Sequence, residues 1–314
     1  MENIIWFKDT NKNDVSKVGG KGANLGEMFS HFPIPNGFCI TVHAYKQFIS
    51  FNNLQDKIDE KLNKLDIEDS EQLENVSRKI SELIMAGSIP ENLNKVIIEN
   101  YKKLDEWFVA VRSSATAEDL PNYSFAGQQA TFLNVKGDDK VLWSVKECWA
   151  SLFTSRAIYY REINNFEHSK VFISVVIQEM VNSEKAGVMF TVNPINKNQN
   201  EAIIEGSFGL GEMVVSGQVT PDNYIVSKNP LEIIKITINE KNTALYRNKE
   251  GDNEEITLDE YKANERVLSD KEIEALTNFG IKIEKHYGSP QDIEWAFSKS
   301  GEIKILQSRS ITTL

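Results

Sequence analysis

Little in this 314-residue chain could cross-link it, and no stretch is built to lie in a lipid bilayer. Two cysteines, Cys39 and Cys148, are too few for a disulfide framework or a zinc site. They point instead to buried thiols in a reducing, cytoplasmic setting. No apolar run approaches the length that spans a bilayer, so no membrane partner is expected. The start, Met1 to Asp9, has neither a basic nor a long apolar region, and no signal peptide is read there. Cations are also scarce: 35 Lys and Arg stand against 46 Asp and Glu, a net charge of −11. That balance excludes nucleic-acid binding through a broad basic surface. A Walker A loop, G-x-x-x-x-G-K-[ST], is absent throughout. What remains is ordinary for a globular chain, 40% hydrophobic and 26% charged, with a length that suits two lobes or one large α/β unit.

The stretch from Val111 to Phe132 organises the rest. A short strand-like run, Val109 to Val111, precedes it, and Thr131 to Val135 follows as a second. Between them lie small and hydroxyl residues, Arg112 and Gly127. Small residues let a backbone approach a ligand, and successive N–H groups in such a loop cradle an anion. Arg112 stands where the first strand ends, and its planar fork suits phosphate. Composition alone fits an ordinary polar surface loop equally well.

Earlier, Val18-Gly19-Gly20-Lys21-Gly22 leads into helical spacing at Leu25, Met28 and Phe29. A glycine-rich turn opening a helix offers N–H groups to an anion, and Lys21 adds a point charge. Glycine used only for packing is the alternative. Helices are expected after Thr41, over 70–87 and after Pro90, with 52–69 a polar connection or solvated helix. Residues 138–164 read as long helical material, in which Arg156 and Arg161 are left as surface cations or phosphate contacts. From Val171 the pattern turns to strands. Gln178 interrupts the first of these, and a buried glutamine needs a partner, which a base or hydroxyl would supply. Gly206 to Glu212 misses G-x-G-x-x-G, so no Rossmann site is read. Lys241 to Lys262 is polar and reads as an exposed excursion. Ser269 to Glu272 is a capping box.

At the end, 292–297 and 302–307 flank a hairpin turn. Pairing Phe297 with Glu302 would set Asp292 opposite Gln307, with Asp292, Glu294, Gln307 and Arg309 on one side. The Glu294 carboxylate and Gln307 carbonyl suit Mg²⁺, which takes further oxygens from phosphate, and Arg309 suits a phosphate. An acidic hairpin face balanced by one arginine is the alternative.

The string Arg112-Ser113-Ser114-Ala115-Thr116-Ala117-Glu118-Asp119-Leu120-Pro121, then Ser124-Phe125-Ala126-Gly127-Gln128, resembles the nucleotide-binding domain of the dikinase family. So do the Gly206 to Glu212 loop, which the resemblance would bring close to the triphosphate, and the Glu294-Trp295 to Gln307-Ser308-Arg309 pattern. The family includes phosphoenolpyruvate synthase, pyruvate phosphate dikinase and rifampicin phosphotransferase. Phe166 to Met180, Tyr287 to Trp295 and Gln307 to Leu314 are most similar to rifampicin phosphotransferase, with phosphoenolpyruvate synthase as runner-up. The resemblance implies an α/β (α+β), two-lobed ATP-grasp nucleotide-binding domain, its lobes about 1–180 and 181–314. It implies ATP and Mg²⁺ as cofactors, held by Lys21, Arg112, Gly127, Thr131, Gln178, Glu294, Gln307 and Arg309. Lys21, Arg112 and Arg309 would be the catalytic cations, and Glu294 and Gln307 the metal ligands. Family members have a lysine that contacts the ATP phosphates at the place of Lys21. They relay phosphate through a histidine on another domain, and none of His31, His43, His168 and His286 has that histidine's glycine-rich setting. A phosphohistidine domain and an acceptor-binding domain are therefore expected in cis or in trans, and this chain alone is expected to be incomplete. A nucleotide-sensing subunit without turnover is the alternative of another class.

Overall fold

A computed structural model describes residues 2–105, 107–116, 119–120, 123–124 and 130–312. The chain forms two compact units, Met1–Ser30 with Asn36–Met180, and His31–Pro35 with Val181–Leu314. Both mix helix and sheet, as expected. Among the described residues no helix is long and apolar enough to cross a membrane.

The first unit holds β1 (Ile4–Trp6), α1 (Val15–Phe29), β2 (Gly37–Ile40), α2 (Val42–Phe51), α3 (Gln55–Leu62), α4 (Ser70–Ala86) and α5 (Glu91–Tyr101). After these come β3 (Val109–Ala115), the short pair β4 (Asp119–Leu120) and β5 (Tyr123–Ser124), β6 (Thr131–Val135), α6 (Asp138–Ala150), α7 (Ser155–Ile163) and β7 (Ile173–Glu179). The sheet runs β1-β2-β7-β3-β6. Alternation along its strands separates two faces. Val109, Val111, Val175 and Ile177 join Phe48, Ile80, Leu93 and Trp149 in the helical core. Arg112 and Ser114 face the other way, where α1 packs: Ser114 Oγ donates to Val18 O at 2.8 Å. Cys39 and Cys148 are free and buried, and burial pushes both thiols above their ordinary pKa.

Residues 138–164 are helical as expected, and divide into two helices because Thr154 turns extended and its hydroxyl accepts from Ala157 N to start α7. Arg161 is not a surface cation. It is buried, donating from Nε to His168 Nδ1 at 2.8 Å and from Nη1 to Leu152 O at 2.6 Å.

The second unit holds β8 (Ser183–Phe190), β9 (Glu201–Phe208), α8 (Glu212–Val215), β10 (Asp222–Lys228), β11 (Leu231–Thr237), β12 (Thr243–Arg247), β13 (Asn253–Thr257), α9 (Glu260–Ala263), α10 (Asp270–Tyr287), β14 (Gln291–Ser298) and β15 (Ile303–Ser310). Its sheet runs β11-β10-β9-β8-β14-β15. The Ser269 capping box and the left-handed Gly288 bound α10 as the sequence predicts. The excursion after β11 differs from expectation. Its tip is exposed, but Lys241 at its root is wholly buried against Asp222.

The β14–β15 register also differs. Phe297 pairs with Ile303, one residue beyond the expected partner, and a bulge between Glu294 and Trp295 adds another. Glu294 therefore lies opposite Gln307, and Asp292 opposite Arg309. The total displacement is even, so the four side chains still share a face.

Candidate functional site

The expected residues fall into two sets, one in each unit. In the first unit, Gly19 bends α1 with φ +70°. A Cβ there would sit 2.2 Å from Ser114 O, and one on Gly22 would sit 2.7 Å from Cys39 Sγ. Only glycines let this turn settle onto the sheet. The contact is sealed by Gly22 N donating to Ser114 Oγ at 3.1 Å. It brings Lys21 down to the end of β3, where the buried Nζ donates to Ser113 O at 2.9 Å.

Arg112, one residue earlier on β3, pairs with Thr131 on β6 and Val176 on β7. Residues directly opposite share a face, so Arg112 and Thr131 stand side by side. Gln178, two residues along β7, is opposite Ala110 and Gly37 and lies on the same face. Arg112 and Gln178 are buried, and Thr131 is exposed. Four predicted residues thus belong to one arrangement, α1 and the sheet face it covers. Gly127 lies outside the described residues.

In the second unit, Glu294, Gln307, Arg309 and Asp292 line one cavity of about 210 Å³, together with Val188, Phe190, Glu205, Val214 and Val215. The cross-strand order explains it. Gln307 lies beside Glu294, Glu294 beside Val188, and Val188 beside Glu205. Arg309 Nε donates to Asp292 Oδ2 at 2.8 Å, and Nη2 approaches the same oxygen at 2.7 Å. The Arg309 side chain is 43% exposed and Asp292 14%. Burial raises the Asp292 pKa above its ordinary value, Arg309 opposes that shift, and Glu294 adds to it. The net effect is upward, so desolvation outweighs the ion pair.

Glu294 and Gln307 put a carboxylate and an amide oxygen side by side, a donor set that fits a hard divalent cation. Among the described residues no group of three or more His, Cys, Asp or Glu forms a ready cation cage. An ion here would take its other oxygens from water or phosphate. Sequence reasoning placed Asp292 on this face but gave it no role; its i, i+2 spacing to Glu294 was the available signal. It missed Glu205 and the α8 valines, which reach the cavity only through the β9-β8-β14 order.

The family described as "Pyruvate phosphate dikinase, AMP/ATP-binding domain" matches residues 15–314. A probable phosphoenolpyruvate synthase of Methanocaldococcus jannaschii is 50% identical over all of this chain and 27% of its own length. One from Methanothermobacter thermautotrophicus is 49% identical over 99% of this chain and 46% of its own. The rifampicin phosphotransferase of Bacillus subtilis is 42% identical over 99% and 36%. Among these three the order of similarity is the reverse of the one expected from the short motifs. The chain spans between about a quarter and just under half of these relatives' lengths. A solved D-alanyl-alanine synthetase A from Vibrio cholerae superposes with a TM-score of 0.30 at 9% identity, over 76% of this chain and 54% of its own; that is too loose to argue from.

Proposed function

The chain belongs to the family of pyruvate phosphate dikinase AMP/ATP-binding domains, and from that premise we propose that it is the Mg²⁺-dependent, ATP-grasp nucleotide-binding domain of a dikinase of the phosphoenolpyruvate synthase type. Lys21 and Arg112 neutralise the triphosphate, with Gly127 and Thr131 beside it, and Gln178 takes a hydroxyl or base edge. Glu294 and Gln307 hold the metal, and Arg309, oriented by Asp292, meets a phosphate oxygen. When bound, the metal supplies charge neutralisation at the phosphates. Phosphoryl transfer needs mainly positioning and charge, and these groups are of that kind. The phosphoryl group then passes to a histidine on another domain or chain, and from it to pyruvate. The observation that carries the reading is the Glu294–Gln307 pair beside Arg309–Asp292 in one cavity, within a chain matched by an AMP/ATP-binding family.

Titration calorimetry with ATP, with and without Mg²⁺, tests it. Binding should strengthen with Mg²⁺, and Glu294→Ala should abolish that gain while leaving the fold intact. Absence of binding in both conditions would overturn the proposal. Rifampicin is the second candidate acceptor, favoured by the Bacillus subtilis relative. A parent chain or an added phosphohistidine and acceptor module, offered pyruvate and rifampicin side by side, separates the two.

A further inference from the structure

We propose that Asp222 and Lys241 are positioning residues for the Glu294 cavity, acting through the arm that runs between Lys241 and Val267. This rests on the functional reading above for its consequence, but not for its geometry. Both side chains are 0% exposed, and Lys241 Nζ donates to Asp222 Oδ1 at 2.6 Å. The same carboxylate grips both ends of the arm. Asn239 N donates to Oδ1 at 3.0 Å on the outgoing side, and Val267 N to Oδ2 at 2.8 Å on the return. Tyr224 Oη also donates to Oδ2, at 3.0 Å, and accepts from Leu268 N. A buried carboxylate so fully satisfied resists opening, because releasing any one donor leaves charge and dipole unpaired in a low dielectric.

The arm bears on the strand end that leads to the cavity. Leu245 of β12 is bridged to Gly209, and Leu245 O accepts from Leu210 N at 2.8 Å. A Cβ on Gly209 would sit 2.3 Å from that oxygen, so the approach admits only glycine there, at φ +78°. Lys262 Nζ lies 3.8 Å from the centroid of the Phe208 ring. Phe208, Gly209 and Leu210 are thus held in a row, and the next residues open α8, whose Val214 and Val215 wall the cavity against Glu294 and Gln307. The arm fixes that wall from outside the cavity, since none of its residues lines it.

Two variants of the chain test the idea. One is the paired neutral change Asp222→Asn with Lys241→Met. The other deletes the β12–β13 hairpin and joins Asn242 to Leu258 through an Asn-Gly turn, which the Leu258 N to Asn242 O bond of 2.9 Å permits. Hydrogen exchange at Val214 and Val215, whose acceptor Gly211 O is kept in both variants, is the first readout. It should quicken about tenfold in both variants, since local opening is released. The second readout is Mn²⁺ affinity in the presence of ATP, set against ATP affinity without metal. The former should weaken several-fold and the latter hold. Unchanged exchange at those amides in a cooperatively folded hairpin deletion would overturn the proposal, and that variant decides alone if the paired change fails to fold. If the wild-type chain binds no ATP, the functional reading falls, while the exchange result still decides whether the arm fixes the wall.

Discussion

At the residue scale, the proposed function rests on cations in a chain that has few to spare. Arg112 is buried on a sheet face beside Thr131, a setting for a forked donor and not for a flexible point charge. Arg112→Ala should weaken ATP binding by about 1.5–3 kcal/mol, the range for hydrogen bonds to charged groups, and Arg112→Lys should not restore it. Calorimetry checks both, and equal affinity in wild type and Arg112→Ala would reduce the residue to scaffold. His168 makes a second case, in stability. Its Nδ1 accepts from Arg161, and its Nε2 lies 2.6 Å from Glu162 Oε1. Burial, then the Arg161 charge, lowers its pKa below 6.5, against the pull of Glu162. The unfolded chain therefore takes up a proton, as pH falls through 6.5, that the folded chain refuses. Stability from this group is full above 6.5 and declines below it, until the lowered folded pKa is passed. Urea midpoints measured across that window should fall with pH more steeply in wild type than in His168→Gln, which keeps an acceptor but does not titrate. Parallel slopes would remove His168 from the account.

At the scale of elements, glycines and a bulge set the site. The turn within α1 depends on Gly19, whose positive φ and contact with Ser114 leave no room for a side chain. Gly19→Ala should cost about 2 kcal/mol or more from the left-handed backbone and the clash together. Because Lys21 follows by two residues and reaches Ser113 O through that turn, ATP affinity should fall with stability. A thermal melt paired with ATP titration measures both; an unchanged melting temperature would show that α1 can shift without cost. The hairpin of β14 and β15 depends on its bulge in another way. The added residue sets the Gln307 oxygen opposite the Glu294 carboxylate, and Arg309 opposite Asp292.

At the scale of the whole molecule, the proposed role of this chain is to hold ATP, with the receiving histidine left to another domain or chain. His168 is engaged with Arg161 and Glu162, while the rings of His31 and His286 meet at a 45° tilt, with centroids 5.2 Å apart, beside Phe32. Incubated with ATP, Mg²⁺ and pyruvate, the isolated chain should form neither phosphohistidine nor phosphorylated acceptor. Phosphorus NMR would detect either, and adenosine mono- and diphosphate should both be assayed. A phosphohistidine and acceptor module from the same source should restore turnover, and should fail to do so with Glu294→Ala. Robust product from the chain alone would demand a nucleophile elsewhere in it.

Much of this was legible in the residues. The glycine turn around Lys21, the capping box at Ser269, the hairpin after Phe297 and the common face of Asp292 with Glu294 and of Gln307 with Arg309 all follow from local periodicity and turn chemistry, which act over a few neighbours. The family motifs, too, are local strings. The ranking of relatives was not, because short motifs sample less than identity over the whole chain. Nor was the partner across β15, since a bulge is a compromise between two strands and the sheet they join. The burial of Lys241, the cavity wall from α8 and the placing of Glu205 needed contacts between residues distant in sequence. Lys241 in particular reads as a solvated charge in a polar run. Only folding brings Asp222 to it, and that carboxylate is itself stable there because Tyr224 Oη, Asn239 N and Val267 N donate to it as well.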